Sequence, residues 1–302
     1  MFRYTFALVA SSVLAFSAIP LAAQRDFSDV VIETQEVGDG IYMLTGSGGN
    51  MGLSVGEDGA FLIDDQFAPL TDRILAAVAE VSSAPVRFVL NTHWHGDHTG
   101  GNENLGEAGA MIVAHDNVRE RLATSWMRMA NGQEQTVDPQ PDAAVPVITF
   151  SESATFHWNG HELEAVHAPH AHTDGDAVIH FRNANVVHMG DVFFNGGYPF
   201  IDTSSGGSID GVIHAMSMVL DNTTDDTRII PGHGPLATRS DLKDTRDMLM
   251  TIRDRVGAAM RAGNSLLDIQ GMGLTSEWDA EFGGGFVNAE RLITAVYESL
   301  SN

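Results

Sequence analysis

The chain of 302 residues contains no cysteine, so it builds neither a disulfide nor a thiolate metal site. Positive charge is scarce. Sixteen Lys and Arg stand against 40 Asp and Glu, a formal net charge of −24. Such a surface repels phosphate backbones, which excludes nucleic acid as a partner and disfavours nuclease chemistry. The acidity itself reads as a solubility device. Beyond the N-terminus no run is long and apolar enough to span a bilayer as a helix. Repeats of fixed period and low-complexity tracts are absent too.

What is there begins with a leader. Arg3 precedes an apolar run from Phe6 to Ile19, then Pro20-Leu21-Ala22-Ala23. That is the n-region, h-region and small-residue cleavage site of a secretory signal peptide. The run falls short of the ~20 residues a spanning helix needs. The expected layout is a signal peptide over 1–23 and one domain over 24–302, periplasmic or secreted and without a membrane anchor. A hydrophobic content of 43% suffices for one substantial core.

Strand and helix signals alternate along that domain. Val30–Thr45 reads as a strand pair around Gly38-Asp39-Gly40, and Met51–Val55 and Ala60–Asp64 as a hairpin. Ala154–Trp158 and His161–Val166 form another, with Asn159-Gly160 at the turn. Helices are expected at Leu70–Val81, Ala114–Ala130, Ile209–Leu220, Leu242–Ala262 and Phe286–Leu300, and an irregular loop at Asn131–Pro146.

The densest chemistry lies in His93-Trp94-His95-Gly96-Asp97-His98, three imidazoles and a carboxylate in six residues. Imidazole nitrogens and carboxylate oxygens are the donors that Zn²⁺ accepts, and crowding them is costly without a cation among them. The motif follows the apolar run Val86–Leu90, so it sits where a strand gives way to its loop, a usual place for chemistry in α/β folds. In extended chain, His93 and His95 share a side and grip one ion. Asp97 and His98, past Gly96, turn toward a second. Further candidates stand behind other apolar runs: His167, His170 and His172, then Gly190-Asp191, then Pro231-Gly232-His233-Gly234. Glycine there permits sharp turns and close approach.

These motifs, in this order over about residues 30–260, resemble the metallo-β-lactamase superfamily. The resemblance implies an α+β fold, a four-layered αββα sandwich. It implies a first metal on His93, His95 and His172, a second on Asp97, His98 and His233, and Asp191 bridging both. His172 is preferred to His170 because Thr173 and Asp174-Gly175-Asp176 follow it. His167 is a candidate for holding a ligand in orientation. Of the other histidines, His115 reads as a structural cap or as lying near the pocket, His188 as buried or as holding a ligand in orientation, His157, His161 and His180 as surface or packing residues, and His214 as exposed.

The chemistry implied is an exported hydrolase with two Zn²⁺ per chain, iron or manganese being the other metals these ligands accept. A metal-bridged hydroxide attacks the carbonyl of a small cyclic amide or ester, β-lactam-like or lactone. Asp97 orients the hydroxide and passes a proton to the leaving group. Phe193–Phe200 reads as an aromatic pocket floor or a packed loop, and Tyr198 or Asn195 as donor to an oxyanion. Asp191 stands where several true metallo-β-lactamases place Cys, which points toward the glyoxalase II, lactonase and general hydrolase branches. No basic cluster near the C-terminus awaits glutathione's carboxylates. The alternatives are an iron-carrying oxidoreductase resembling a persulfide dioxygenase and a non-enzymatic metal binder. The full second set of ligands weighs against both.

Overall fold

Short strands that are apolar on both faces need cover on both sides, and this requirement organises the molecule. The computed structural model describes residues 26–130 and 133–301, so the expected signal peptide lies outside the described residues. The first strands are β1 (Glu33–Gly38), β2 (Ile41–Thr45), β3 (Met51–Ser54), β4 (Ala60–Ile63), β5 (Val86–Leu90) and β6 (Met111–His115). A separate hairpin of β7 (Trp126–Ala130) and β8 (Gln133–Val137) follows. β9 (Ile148–Phe150) then joins β6 and completes a seven-stranded sheet. The second sheet runs in chain order through β10 (Ser153–Trp158), β11 (His161–Ala168), β12 (Asp176–Phe181), β13 (Val186–His188), β14 (Arg228–Ile230) and β15 (Ala237–Thr238). Strands β4, β5, β6 and β9 pair in parallel, as do β13 and β14.

The period-2 alternation of side chains sorts the core into layers. Phe61, Ile63, Leu90 and Val113 of the first sheet meet Leu163, Ala177, Ile179, Phe181 and Ile230 of the second. Their neighbours Leu62, Val89 and Ile112 face the other way, onto Ile74 and Val78 of helix α1 (Thr71–Val81). Two short helices, α2 (Gly96–Thr99) and α3 (Asn102–Glu107), follow β5, and α4 (Asp116–Ala123) follows β6. On the far side, Val178, Val187 and Ile229 pack under α5 (Ile209–Asp221) and α6 (Arg239–Arg261). The chain closes with α7 (Leu266–Gln270), α8 (Asp279–Phe282) and α9 (Ala289–Ser301) over the same face. Each Leu, Ile or Phe so buried contributes about 1.5–3 kcal/mol, which is what holds four layers together. The αββα sandwich is the observed fold.

Two expectations need correction. The helix expected over 114–130 is a strand end, α4 and then β7. Thr124 turns back to donate its hydroxyl to the Glu120 carbonyl, 2.7 Å away, and leaves the helix with an extended backbone. Thr, Ser and Trp in succession favour that exit over another helical turn. The loop expected over 131–146 contains β8, while residues 131–132 lie outside the described ones. The Asn159-Gly160 turn is as expected: both residues adopt positive φ, and Trp158 faces His161.

Candidate metal centre

Three strands deliver the ligand-type side chains to one edge of the sandwich. β5 ends at Leu90 and leads into Asn91–His98, β13 leads to Asp191, and β14 leads to His233. The loop before β12 adds His172. Backbone bonds stitch these ends together: Asn50 N donates to the Gly232 carbonyl at 2.7 Å, and Gly232 N to that of Gly190 at 2.8 Å. Gly232 is required by close approach, since a Cβ there would lie 2.2 Å from Asp191 Oδ1.

The seven residues expected as ligands meet in two groups. His93, His95, His172 and Asp191 offer donor atoms within 4.8 Å of one another, as do Asp97, His98 and His233. The Asp191 carboxylate faces both. Its Oδ1 lies 3.0 Å from His98 Nε2 and 3.4 Å from His233 Nε2. Its Oδ2 lies 3.6 Å from His172 Nε2 and 3.8 Å from His93 Nε2. Asp97 Oδ2 stands 3.4 Å from His233 Nε2.

Neighbouring acceptors decide which ring nitrogens are bare. His172 Nδ1 donates to the Phe200 carbonyl at 2.7 Å, so its Nε2 carries no proton in the neutral ring. His95 Nε2 donates to Asp202 Oδ2 at 3.0 Å, which leaves Nδ1 bare. These two bare nitrogens face each other 2.9 Å apart. His98 Nδ1 donates to Asp64 Oδ2 at 2.7 Å. Thr92 Oγ1 also donates to Asp64 Oδ2, at 2.7 Å, and accepts from His93 Nδ1 at 3.0 Å. One buried carboxylate thus orients a histidine in each group.

These residues fit a divalent metal. His93 Nε2, His98 Nε2 and Asp191 Oδ1 are buried without a properly directed hydrogen bond, although two of them lie only 3.0 Å apart. Buried polar atoms left without partners in this way call for a cation. The electrostatics divide by group. Burial and the neighbouring His98 charge hold His93 well below the ordinary histidine range, and burial takes His172 down to about 4. Burial opposes charge on His98 and His233 too, but the carboxylates around them prevail. Asp191, Asp64 and Asp97 hold His98 well above the usual range, and Asp191 and Asp97 bring His233 up to about 9. Burial likewise works against ionised Asp97, but His98 and His233 bring it down to about 2.

A pocket of about 690 Å³ opens over the centre, lined by His95, Asp97, Asp191 and His233 and by the rings of Phe67, Phe194, Phe200 and Phe286. Tyr198 and Asn195 border it; the Tyr198 hydroxyl is committed elsewhere, and so is one of the two Asn195 amide hydrogens. The Tyr198 hydroxyl donates to Asp279 Oδ1 at 2.8 Å, and Asn195 Nδ2 to the Pro235 carbonyl at 3.0 Å. Tyr198 is 1% exposed, locked into the helical layer, so its expected part as an oxyanion donor is withdrawn. His170 is exposed, with Nδ1 3.0 Å from the Gly206 carbonyl, and joins neither group. His167 stacks on His115 at 3.7 Å and faces the Asp174 carbonyl instead of a ligand. His115 is the cap of α4, accepting from Asn117 N.

Sequence reasoning missed Asp64, Asp202 and the Phe200 carbonyl. Asp64 carried a local signal, a pair of acidic residues ending the apolar strand Ala60–Ile63. It is fully buried with φ +60°, costly for a non-glycine residue. Asp202 carried none, lying 107 residues from His95.

The family model described as the metallo-beta-lactamase superfamily matches residues 44–245. A hydroxyacylglutathione hydrolase of Polaromonas sp. is 29% identical over 167 residues, 55% of this chain and 55% of its own. The chain spans about half or less of the length of such relatives. Among solved structures, a metallo-beta-lactamase from Pontibacter korlensis superposes with a TM-score of 0.58 at 20% identity, over 72% of this chain and 99% of its own. The sec-alkylsulfatase Pisa1 from Pseudomonas sp. gives 0.67 at 20% identity, over 88% of this chain and 50% of its own. At that identity the likeness speaks for the fold alone. With its His and Asp centre at the strand ends of an αββα sandwich, the chain belongs to the metallo-beta-lactamase superfamily.

Proposed function

We propose that the protein is an exported, dinuclear zinc-dependent hydrolase attacking the carbonyl carbon of a small cyclic ester or amide, a lactone or a β-lactam-like ring. The observation that carries this reading is Asp191, whose two oxygens address separate groups of ligand-type residues at the floor of an apolar pocket. The completeness of the second group favours a dinuclear hydrolase over the iron oxidoreductase alternative.

When bound, divalent metal supplies a water acidified to a pKa of about 7 and a Lewis acid for a carbonyl oxygen. The chain's own residues do the rest. Asp97 is the carboxylate with access to substrate, 30% exposed at the pocket and held ionised by His98 and His233. It accepts a hydrogen bond from the attacking water, orients it, and carries the proton on to the leaving oxygen or nitrogen. Asp64 and Asp202 keep the histidine rings turned so that their bare nitrogens face the centre. Phe67, Phe194 and Phe200 exclude bulk water from the reacting carbonyl. Thioesters of glutathione fit less well, because no Lys or Arg among the described residues lines the pocket to meet their carboxylates.

The test is turnover of a simple lactone and a chromogenic cephalosporin by the zinc-loaded protein, before and after chelation. Lactone turnover that chelation abolishes supports the reading, and cephalosporin turnover would shift it to the β-lactam side. Metal-dependent turnover of neither would overturn it. Export rests on the order Arg3, Phe6–Ile19, Ala22-Ala23. A mature protein starting at Gln24 in periplasmic extract or medium supports it, and one starting at Met1 contradicts it.

A further inference from the structure

One wall of the pocket is built unlike the rest. Phe286 lines it, yet 68% of that residue is exposed, a large ring left in water at the mouth. The chain reaches it through Gly283-Gly284-Gly285. At Gly284 and Gly285 an added Cβ would meet nothing within 4 Å, and neither has the positive φ that demands glycine. Neither packing nor φ accounts for glycine at these two positions, so what they contribute is backbone freedom. The strap is pinned at both ends. Tyr198 N donates to the Phe282 carbonyl at 3.2 Å, and Val287 is 3% exposed in the core. Arg291 backs the ring, its guanidinium 4.8 Å from the ring centroid and its Nη1 donating to the Phe286 carbonyl at 2.7 Å. The edge of Phe286 meets Phe200, 5.6 Å away, and Phe200 stands 6.0 Å from the His95 ring. A continuous aromatic wall therefore runs from the candidate metal centre to the glycine strap.

We infer that Phe286 is a specificity-determining residue, and that the group it selects is an uncharged hydrocarbon, an alkyl chain or aryl ring on the acyl side of the substrate. The strap closes its ring over that group against Phe200 and Phe67. Closure buries apolar area on the substrate and on Phe286 together, which is the gain that a fixed, already buried ring would not provide. Charged acyl groups are rejected because the ionisable groups lining the pocket, His95, Asp97, Asp191 and His233, all belong to the centre itself. This rests on the hydrolase reading above.

The experiment uses the zinc-loaded protein and aryl esters with acyl chains from acetyl to octanoyl. A fully buried methylene raises kcat/KM about three- to fourfold, so the wild-type series climbs until the chain outgrows the pocket. Phe286→Ala flattens the series, lowering the octanoyl-to-acetyl ratio at least tenfold, while Phe286→Leu keeps most of it. A flat wild-type series, or an unchanged ratio in Phe286→Ala, overturns the assignment. A hemisuccinyl ester handled as well as the butanoyl ester would overturn its restriction to uncharged groups. Calorimetric binding of octanamide reads the same preference without turnover. Octanamide binding that Phe286→Ala weakens, with no ester, lactone or cephalosporin cleaved, upholds the Phe286 wall while the hydrolase reading fails. Ester turnover with neither chain-length preference nor octanamide binding does the reverse.

Discussion

His98 Nδ1 lies 2.7 Å from Asp64 Oδ2, with both side chains fully buried. The same oxygen also receives Thr92 Oγ1, which in turn accepts from His93 Nδ1. Asp64→Asn offers an N–H where an acceptor is needed and invites the opposite tautomer of His98, aiming a proton at the centre. Zinc affinity at the Asp97–His98–His233 group should fall about 10- to 100-fold, the usual cost of losing such a support. Competition with a chromophoric chelator measures this, alongside a melting curve showing that the fold survives. Unchanged affinity in a folded variant would show that Asp64 orients nothing.

Asp202 supports the other group through His95 Nε2 at 3.0 Å. Asp202→Asn should weaken the His93–His95–His172 group by a similar factor and spare the second. Cobalt substitution distinguishes the two groups spectroscopically. Equal weakening at both would contradict a support that reaches only His95.

The two groups should differ in how metal binding depends on pH. His233 is raised to about 9 and His98 is raised as well, so both hold protons at pH 7 in the metal-free protein. A metal must displace them, and affinity at that group falls as pH drops, about tenfold per unit for each proton released. His93 and His172 are both held low, so neither adds a proton that a metal must displace at pH 7. Chelator competition between pH 6 and 8 should give a steeper slope at the Asp97–His98–His233 site than at the other. Equal slopes would contradict this division.

Tyr198→Phe should behave as a stability variant. It removes a hydroxyl that donates to Asp279 at 2.8 Å, worth about 1–2 kcal/mol. The melting temperature should fall by several degrees while kcat toward a lactone stays within about twofold. A large loss of kcat at an unchanged melting temperature would return Tyr198 to the chemistry.

The ligand-type residues were legible in the sequence because metal binding restricts residue type, and His-x-His-x-Asp-His is rare outside it. Most strands were legible for a similar reason, since turns such as Asn159-Gly160 have few alternatives. Their supports were not. Asp202 reaches His95 across 107 residues, and His172 meets a backbone carbonyl that any residue at 200 would present. Tyr198 looked like an oxyanion donor because it follows Asp191 closely, yet its hydroxyl turns to Asp279, 81 residues on. The break at Thr124 escaped because it rests on one side chain bonding back to Glu120, not on periodicity.

The central claim is that Asp191 joins two metal sites that work on one carbonyl. Elemental analysis of the purified protein, paired with lactone turnover during stepwise removal and return of zinc, tests it most directly. The account predicts two zinc ions per chain, with turnover falling as they leave and returning as they are restored. A single bound iron with no lactone turnover would contradict it.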